Sequence, residues 1–150
     1  MTQAASATAN TRSVVVEREF PYPPEKLWRA LTQNALIEEW LMHNDFRPVV
    51  GNRFQLRAPP SPHWNGVTDC EVLVVEPPKR LVYSWNATGD EVATGPKTVV
   101  TFTLTPTKAG TQLRMEQSGF GPQHENNYRG AGFGWQRFFT ALEGVVANLN

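Results

Sequence analysis

Val72-Leu73-Val74-Val75-Glu76-Pro77-Pro78-Lys79-Arg80-Leu81-Val82-Tyr83-Ser84-Trp85 decides the architecture of this 150-residue chain. β-Branched and aromatic residues crowd both arms, and such side chains suit a pleated surface. The two central prolines offer no backbone N–H, so neither a strand nor a helix runs through them. The chain must reverse there, and the arms pair most simply as an antiparallel hairpin. In the second arm Leu81, Tyr83 and Trp85 alternate with Val82 and Ser84, so they share one face of a sheet. The first arm is expected to turn Leu73 and Val75 to that face, with Asp69 and Glu71 further along it. What covers this face decides what the protein does.

Upstream, residues 13–20 read as a strand that Pro21-Tyr22-Pro23-Pro24 stops. Pro24 suits the first turn of a helix, and Glu25 suits its positive end. Leu27, Trp28, Leu31 and Ala35 recur at helical spacing, with a break at Thr32-Gln33-Asn34. Asn34 is the expected cap of a second short helix through Ile37, Trp40 and Leu41. Residues 45–50 and 53–57 flank Gly51-Asn52, which reads as a two-residue hairpin turn. Downstream, Val100, Phe102 and Leu104 alternate with threonines, and Leu113 and Met115 alternate with Arg114 and Glu116. Both patterns mark half-buried antiparallel strands. After a glycine-rich passage, Trp135, Phe139, Leu142, Val146 and Leu149 form one helical stripe. The start of that helix falls anywhere between Gln123 and Gly134.

The expected fold is therefore α+β: a curved antiparallel sheet of six to seven strands wrapped around a long C-terminal helix, with two short helices after the first strand. Residues 1–12 read as a flexible tail and residues 13–150 as a single domain. Wrapping a curved sheet around one helix tends to leave an apolar cavity.

Composition narrows the function. Fourteen Lys and Arg balance fourteen Asp and Glu, and no charge run offers a footprint for nucleic acid or an anionic membrane. Apolar runs are too short to span a bilayer. The start of the chain lacks the basic head and apolar middle of a secretory signal. A single cysteine, Cys70, excludes an intramolecular disulfide and suits a reducing cytoplasm. His43, His63 and His124 lack metal-ligand spacing, no serine stands in a nucleophile elbow, and no cofactor is implied. Gly130-Ala131-Gly132-Phe133-Gly134 lacks the β-α-β setting of a dinucleotide loop. It reads instead as a close approach of helix to sheet.

Several motifs, taken in order, resemble the START-like (helix-grip) superfamily, in the branch similar to the C-terminal domain of heat-shock protein 90 ATPase activators. They are Phe20-Pro21 with Pro24-Glu25-Lys26-Leu27-Trp28-Arg29-Ala30-Leu31-Thr32, then Ile37-Glu38-Glu39-Trp40, then Gly51-Asn52-Arg53-Phe54. The hairpin around Glu76-Pro77-Pro78 follows, then Thr101-Phe102-Thr103-Leu104, Gly110-Thr111-Gln112-Leu113, Gln117-Ser118-Gly119-Phe120 and Gly134-Trp135. The resemblance spans roughly residues 13–149. It implies an apolar pocket and brings no shared catalytic triad or metal set. Here Asn52 stands where a second glycine is usual, and the proline-rich loop 58–65 carries Trp64.

The candidate cavity takes Tyr83, Trp85, Leu73 and Val75 from the hairpin. Earlier elements supply Trp40, Phe46, Phe54 and Leu56. The last strand gives Met115 and Gln117, and the helix gives Trp135 and Phe139. The expected partner is a small hydrophobic or aromatic molecule held by a monomer or homodimer. No catalytic residue is assigned. An enzyme in the same cavity would need a buried acid or base, for which Asp69 and Glu71 are the candidates because they share one face. A third reading is a chaperone-linked regulator. The eukaryotic activators carry a separate N-terminal chaperone-binding domain, and residues 1–12 are too few to form one.

Overall fold

A computed structural model describes residues 11–60, 65–87 and 96–149. Strand β1 (Arg12–Phe20) leads into helices α1 (Pro24–Thr32) and α2 (Asn34–Trp40), then β2 (His43–Asn44) and β3 (Arg53–Arg57). The central hairpin β4 (Val67–Glu76) and β5 (Arg80–Ala87) is followed by β6 (Lys97–Pro106), β7 (Thr111–Phe120) and helix α3 (Glu125–Ala147). All seven strands form one antiparallel sheet in the order β1-β7-β6-β5-β4-β3-β2. Helix α3 lies against β1 and β7 and meets α1 and α2 along the same side. The expected helix-grip architecture is present.

Local chemistry accounts for the helical segment. Pro24 opens α1 with Glu25 in its first turn, and the Thr32 hydroxyl donates to the Trp28 carbonyl at 2.7 Å. Gln33 is extended (φ −95°, ψ 120°) and breaks the two helices apart. Asn34 is the first helical residue of α2 and not its cap. Its carbonyl instead accepts the Asn44 side-chain amide at 3.1 Å.

Three further sequence expectations change in the sheet and the last helix. The hairpin around Gly51-Asn52 does not form. Its first arm is loop: the Phe46 amide bonds Asn44 Oδ1 and the Gln55 amide bonds Asp45 Oδ1, so side chains take the donors a ladder would use. Gly51 is left-handed (φ 89°) and donates to Val72 across to β4.

The central hairpin carries a bulge. Val72 opposes Tyr83 but Val74 opposes Val82, so Leu73 is the extra residue. Phase shifts there, and Val72 is fully buried while Leu73 is 41% exposed. Leu73 therefore does not line the inner face, whereas Val75, opposite Leu81, packs against the core.

Helix α3 starts at Glu125, ahead of the glycines, and the close approach expected there is absent. A Cβ on Gly130 or Gly132 would meet nothing within 4 Å, and one on Gly134 only the Phe138 ring at 3.9 Å. Each glycine costs the helix about 1 kcal/mol relative to alanine. Gly130→Ala and Gly132→Ala should each raise stability by about that amount, read as a higher urea midpoint at unchanged slope. Gly110 is different: a Cβ there would lie 2.2 Å from the Phe20 carbonyl oxygen and 2.5 Å from the Tyr22 nitrogen. The β6–β7 turn therefore closes on the β1–α1 link only as glycine.

Candidate functional site

The inner face of the sheet gathers the aromatics into one cluster. Alternation on β5 sends Leu81, Tyr83 and Trp85 inward, and alternation on β6 sends Thr98, Val100, Phe102 and Leu104 to meet them. Tyr83 is stacked on Trp85 (6.5 Å, 15°), and Trp85 is tilted onto Trp135 of α3 at 5.4 Å. Trp135 in turn makes edge contacts with Phe102 (5.8 Å) and Phe138 (5.3 Å). On the other side of Tyr83, Phe46 and Phe54 meet edge-on at 5.0 Å, with Phe54 5.2 Å from the Tyr83 ring.

A buried polar chain crosses the same region. Trp135 Nε1 donates to Gln117 Oε1 (2.8 Å), Gln117 Nε2 donates to Thr98 Oγ1 (2.9 Å), and Thr98 Oγ1 donates to the Trp85 carbonyl (2.7 Å). Each link satisfies a group that burial would otherwise penalise. The chain ties helix to sheet in one orientation.

Most of the sequence-named lining residues meet here, at different depths. Leu56, Met115, Trp135 and Phe139 are essentially sealed, and Phe139 packs edge-on against Phe20 at 6.1 Å. Trp40, Phe46, Phe54, Tyr83 and Gln117 are also buried. Trp40 Nε1 donates to the Ala30 carbonyl at 2.9 Å, which fixes its ring under α1. Trp85 and Val75 are only partly buried. Trp85 is therefore the aromatic of the set that joins the core to the surface. Thr98 and Phe102 belong to this region and were not among the lining residues named from sequence. Their signal was available, since both lie in phase with Val100 and Leu104. Val72 takes the place expected for Leu73.

Asp69 and Glu71 share a face, but it is the outer one. Asp69 accepts the Gln55 side-chain amide at 2.9 Å, and Glu71 lies 3.7 Å from Arg53 with its side chain 41% exposed. With Asp45, Phe54, Cys70, Ser84 and Asn86 they line a depression of mixed polar and apolar character, about 550 Å³, on β3–β5. The inward turn expected of them fails because Thr68, Cys70 and Val72 occupy that phase of β4. The β4–β5 ladder also lacks pairs at Cys70 and Glu71, where Ser84 Oγ takes the Glu71 amide at 2.9 Å. No carboxylate is among the described buried residues. Asp69→Asn and Glu71→Gln should therefore leave binding of an apolar probe on the inner face within twofold of the parent, read by fluorescence titration.

Cys70 and Tyr83 are buried ionisable groups. Burial, then Asp69 and Asp45, push the Cys70 thiol up; burial, then Cys70, push the Tyr83 phenol well above its ordinary value. Both stay protonated near neutrality, which makes Cys70 a poor nucleophile. Among the described residues no three His, Cys, Asp or Glu stand together as a metal site. None of the described helices is long and apolar enough to cross a membrane. Trp64, which the proline-rich loop carries, lies outside the described residues.

Comparison with solved structures places this geometry among known folds. Protein MLL2253 from Mesorhizobium loti is 57% identical over 93% of this chain and 99% of that one, with a TM-score of 0.85. Protein BH1534 from Bacillus halodurans is 25% identical over 90% of this chain and 96% of that one (TM-score 0.73). DynU16, a protein in the dynemicin biosynthetic locus, shares the fold at 24% identity and a TM-score of 0.75; the match covers 91% of this chain and 47% of DynU16. A comparison with curated proteins finds no match. The family model described as "Activator of Hsp90 ATPase homolog 1-like protein" matches residues 21–147, so the chain belongs to that family.

Proposed function

We propose that this protein binds a small, predominantly apolar and aromatic molecule between the sheet and α3, with Trp85 and Trp135 as walls. The observation that carries the reading is the half-buried Trp85, stacked on Tyr83 and tilted onto Trp135 at the margin of the aromatic cluster. An exposed flank on so large a ring is surface that a flat ligand would cover. Burial of apolar area supplies roughly 25 cal/mol per Å², so a three-ring ligand gains most of its affinity without polar contacts. No carboxylate is buried among the described residues, which favours binding over acid–base chemistry. We place this activity in the cytoplasm, in keeping with the single buried thiol of Cys70.

The test is an equilibrium titration with fluorene, a three-ring hydrocarbon without polar atoms, followed by tryptophan fluorescence. Saturable quenching at roughly micromolar probe is the expected result, equivalent to about −8 kcal/mol. A linear, non-saturating response up to the solubility limit would reject the reading. A second reading, regulation of a chaperone ATPase, is favoured by the family description. It is removed if a purified Hsp90 hydrolyses ATP at the same rate with and without this protein.

A further inference from the structure

On the outer face of β3–β5, the depression sits where the β4–β5 ladder lacks pairs at Cys70 and Glu71. Asp45, Asp69 and Glu71 line it against one cation, Arg53, in a chain whose formal charge is zero. Asp45 and Asp69 are exposed, so a ligand reaches them from solvent. Each gives one oxygen to Gln55: Asp45 Oδ1 accepts its amide N–H (2.8 Å), and Asp69 Oδ1 accepts from Nε2 (2.9 Å). Both Oδ2 atoms stay available. Glu71 has Arg53 at 3.7 Å, and that Arg53 side chain is 85% exposed.

Asn86 adds an unmet acceptor at the same place. It lines the depression directly opposite Asp69 in the β4–β5 register, and its Oδ1 is buried with no hydrogen-bond partner. The residue as a whole is only partly buried, so its amide can turn that oxygen to a ligand. An unmet buried acceptor is unfavourable, and a ligand donor relieves it. A metal ion does not suit the site, since among the described residues no three His, Cys, Asp or Glu stand close enough to hold one. The acids are spread around about 550 Å³, and Phe54 and Cys70 share the lining. That arrangement suits a cation with a hydrocarbon body. Three carboxylates against one guanidinium leave two negative charges to balance.

We infer that this depression binds an organic diamine, with one ammonium group at Asp69 and Asn86 and the second among the remaining carboxylates. The site is independent of the inner face. The probe is cadaverine, compared with the five-carbon diol that has its length and lacks its charge. Isothermal titration of the full chain at about 10 mM salt should show saturable binding of cadaverine, at least roughly fivefold tighter than the diol. Asp69→Asn should weaken cadaverine at least roughly fivefold, and Asn86→Ala roughly threefold. Glu19→Gln, an exposed position on β1 at the far side of the sheet, should stay within roughly twofold. Absent cadaverine binding, equal affinity for the diol, or an equal loss in Glu19→Gln and Asp69→Asn overturns the inference. So does displacement of cadaverine by an equal concentration of Mg²⁺, which would mark a site for inorganic ions. Fluorene binding to Asp69→Asn tests the inner face separately, so either reading can fail without the other.

Discussion

Trp135→Ala should lower folding stability by about 3–5 kcal/mol, the range for removing a fully buried large aromatic. A domain of this size is stable by about 5–15 kcal/mol, so the variant should sit close to its unfolding threshold at physiological temperature. The reason is position. Trp135 is 1% exposed, touches Trp85, Phe102 and Phe138, and anchors the polar chain through Gln117. Trp135→Phe separates the two contributions. Much of the ring area returns, but Gln117 Oε1 loses its donor, which costs about 1–3 kcal/mol when no water replaces it. Phe133→Ala on the same helix is the control: Phe133 is 77% exposed, and the change should stay within about 0.5 kcal/mol. Urea denaturation reads all three. A loss below about 1 kcal/mol for Trp135→Ala would mean that the helix is not gripped at this point.

Trp85→Ala should behave in the opposite manner. The ring is partly buried, so its loss should cost less stability than Trp135→Ala. Its effect on binding should be large: at least roughly tenfold weaker affinity for fluorene, or about 1.4 kcal/mol. That split between stability and affinity identifies a wall of the site. A purely structural residue would lose stability first and leave the affinity of the folded fraction unchanged. Unaltered fluorene affinity in folded Trp85→Ala would move the site elsewhere.

The fold was legible because its strongest signals are local. Alternation in β5, β6 and β7 and the 3.6-residue stripe from Trp135 survive in the folded chain, since each element buries one face. Phase within β4 was not legible. Val72-Leu73-Val74-Val75 is apolar at every position, so hydrophobicity alone cannot show which residue is extruded at a bulge. The same uncertainty misplaced Asp69 and Glu71, whose face depends on that phase. The first turns of α3 were hidden because Gly130, Gly132 and Gly134 argue against a helix, and tertiary packing of Tyr128 and Trp135 overrides that preference. The loop at residues 45–52 resembled a strand by composition, but Asn44 and Asp45 side chains took the backbone donors. The aromatic cluster could be assembled from alternation. The Gln117–Trp135 bond that locks it could not, because it joins residues whose rotamers only packing sets.

The most direct test of the inner-face site is an NMR titration of the five indole N–H signals with fluorene. Trp85 and Trp135 should shift together and saturate with one binding constant, while Trp28, on α1, stays in place. Saturable shifts confined to Trp28, Trp40 or Trp64, with Trp85 and Trp135 unmoved, would contradict a ligand site between the sheet and α3.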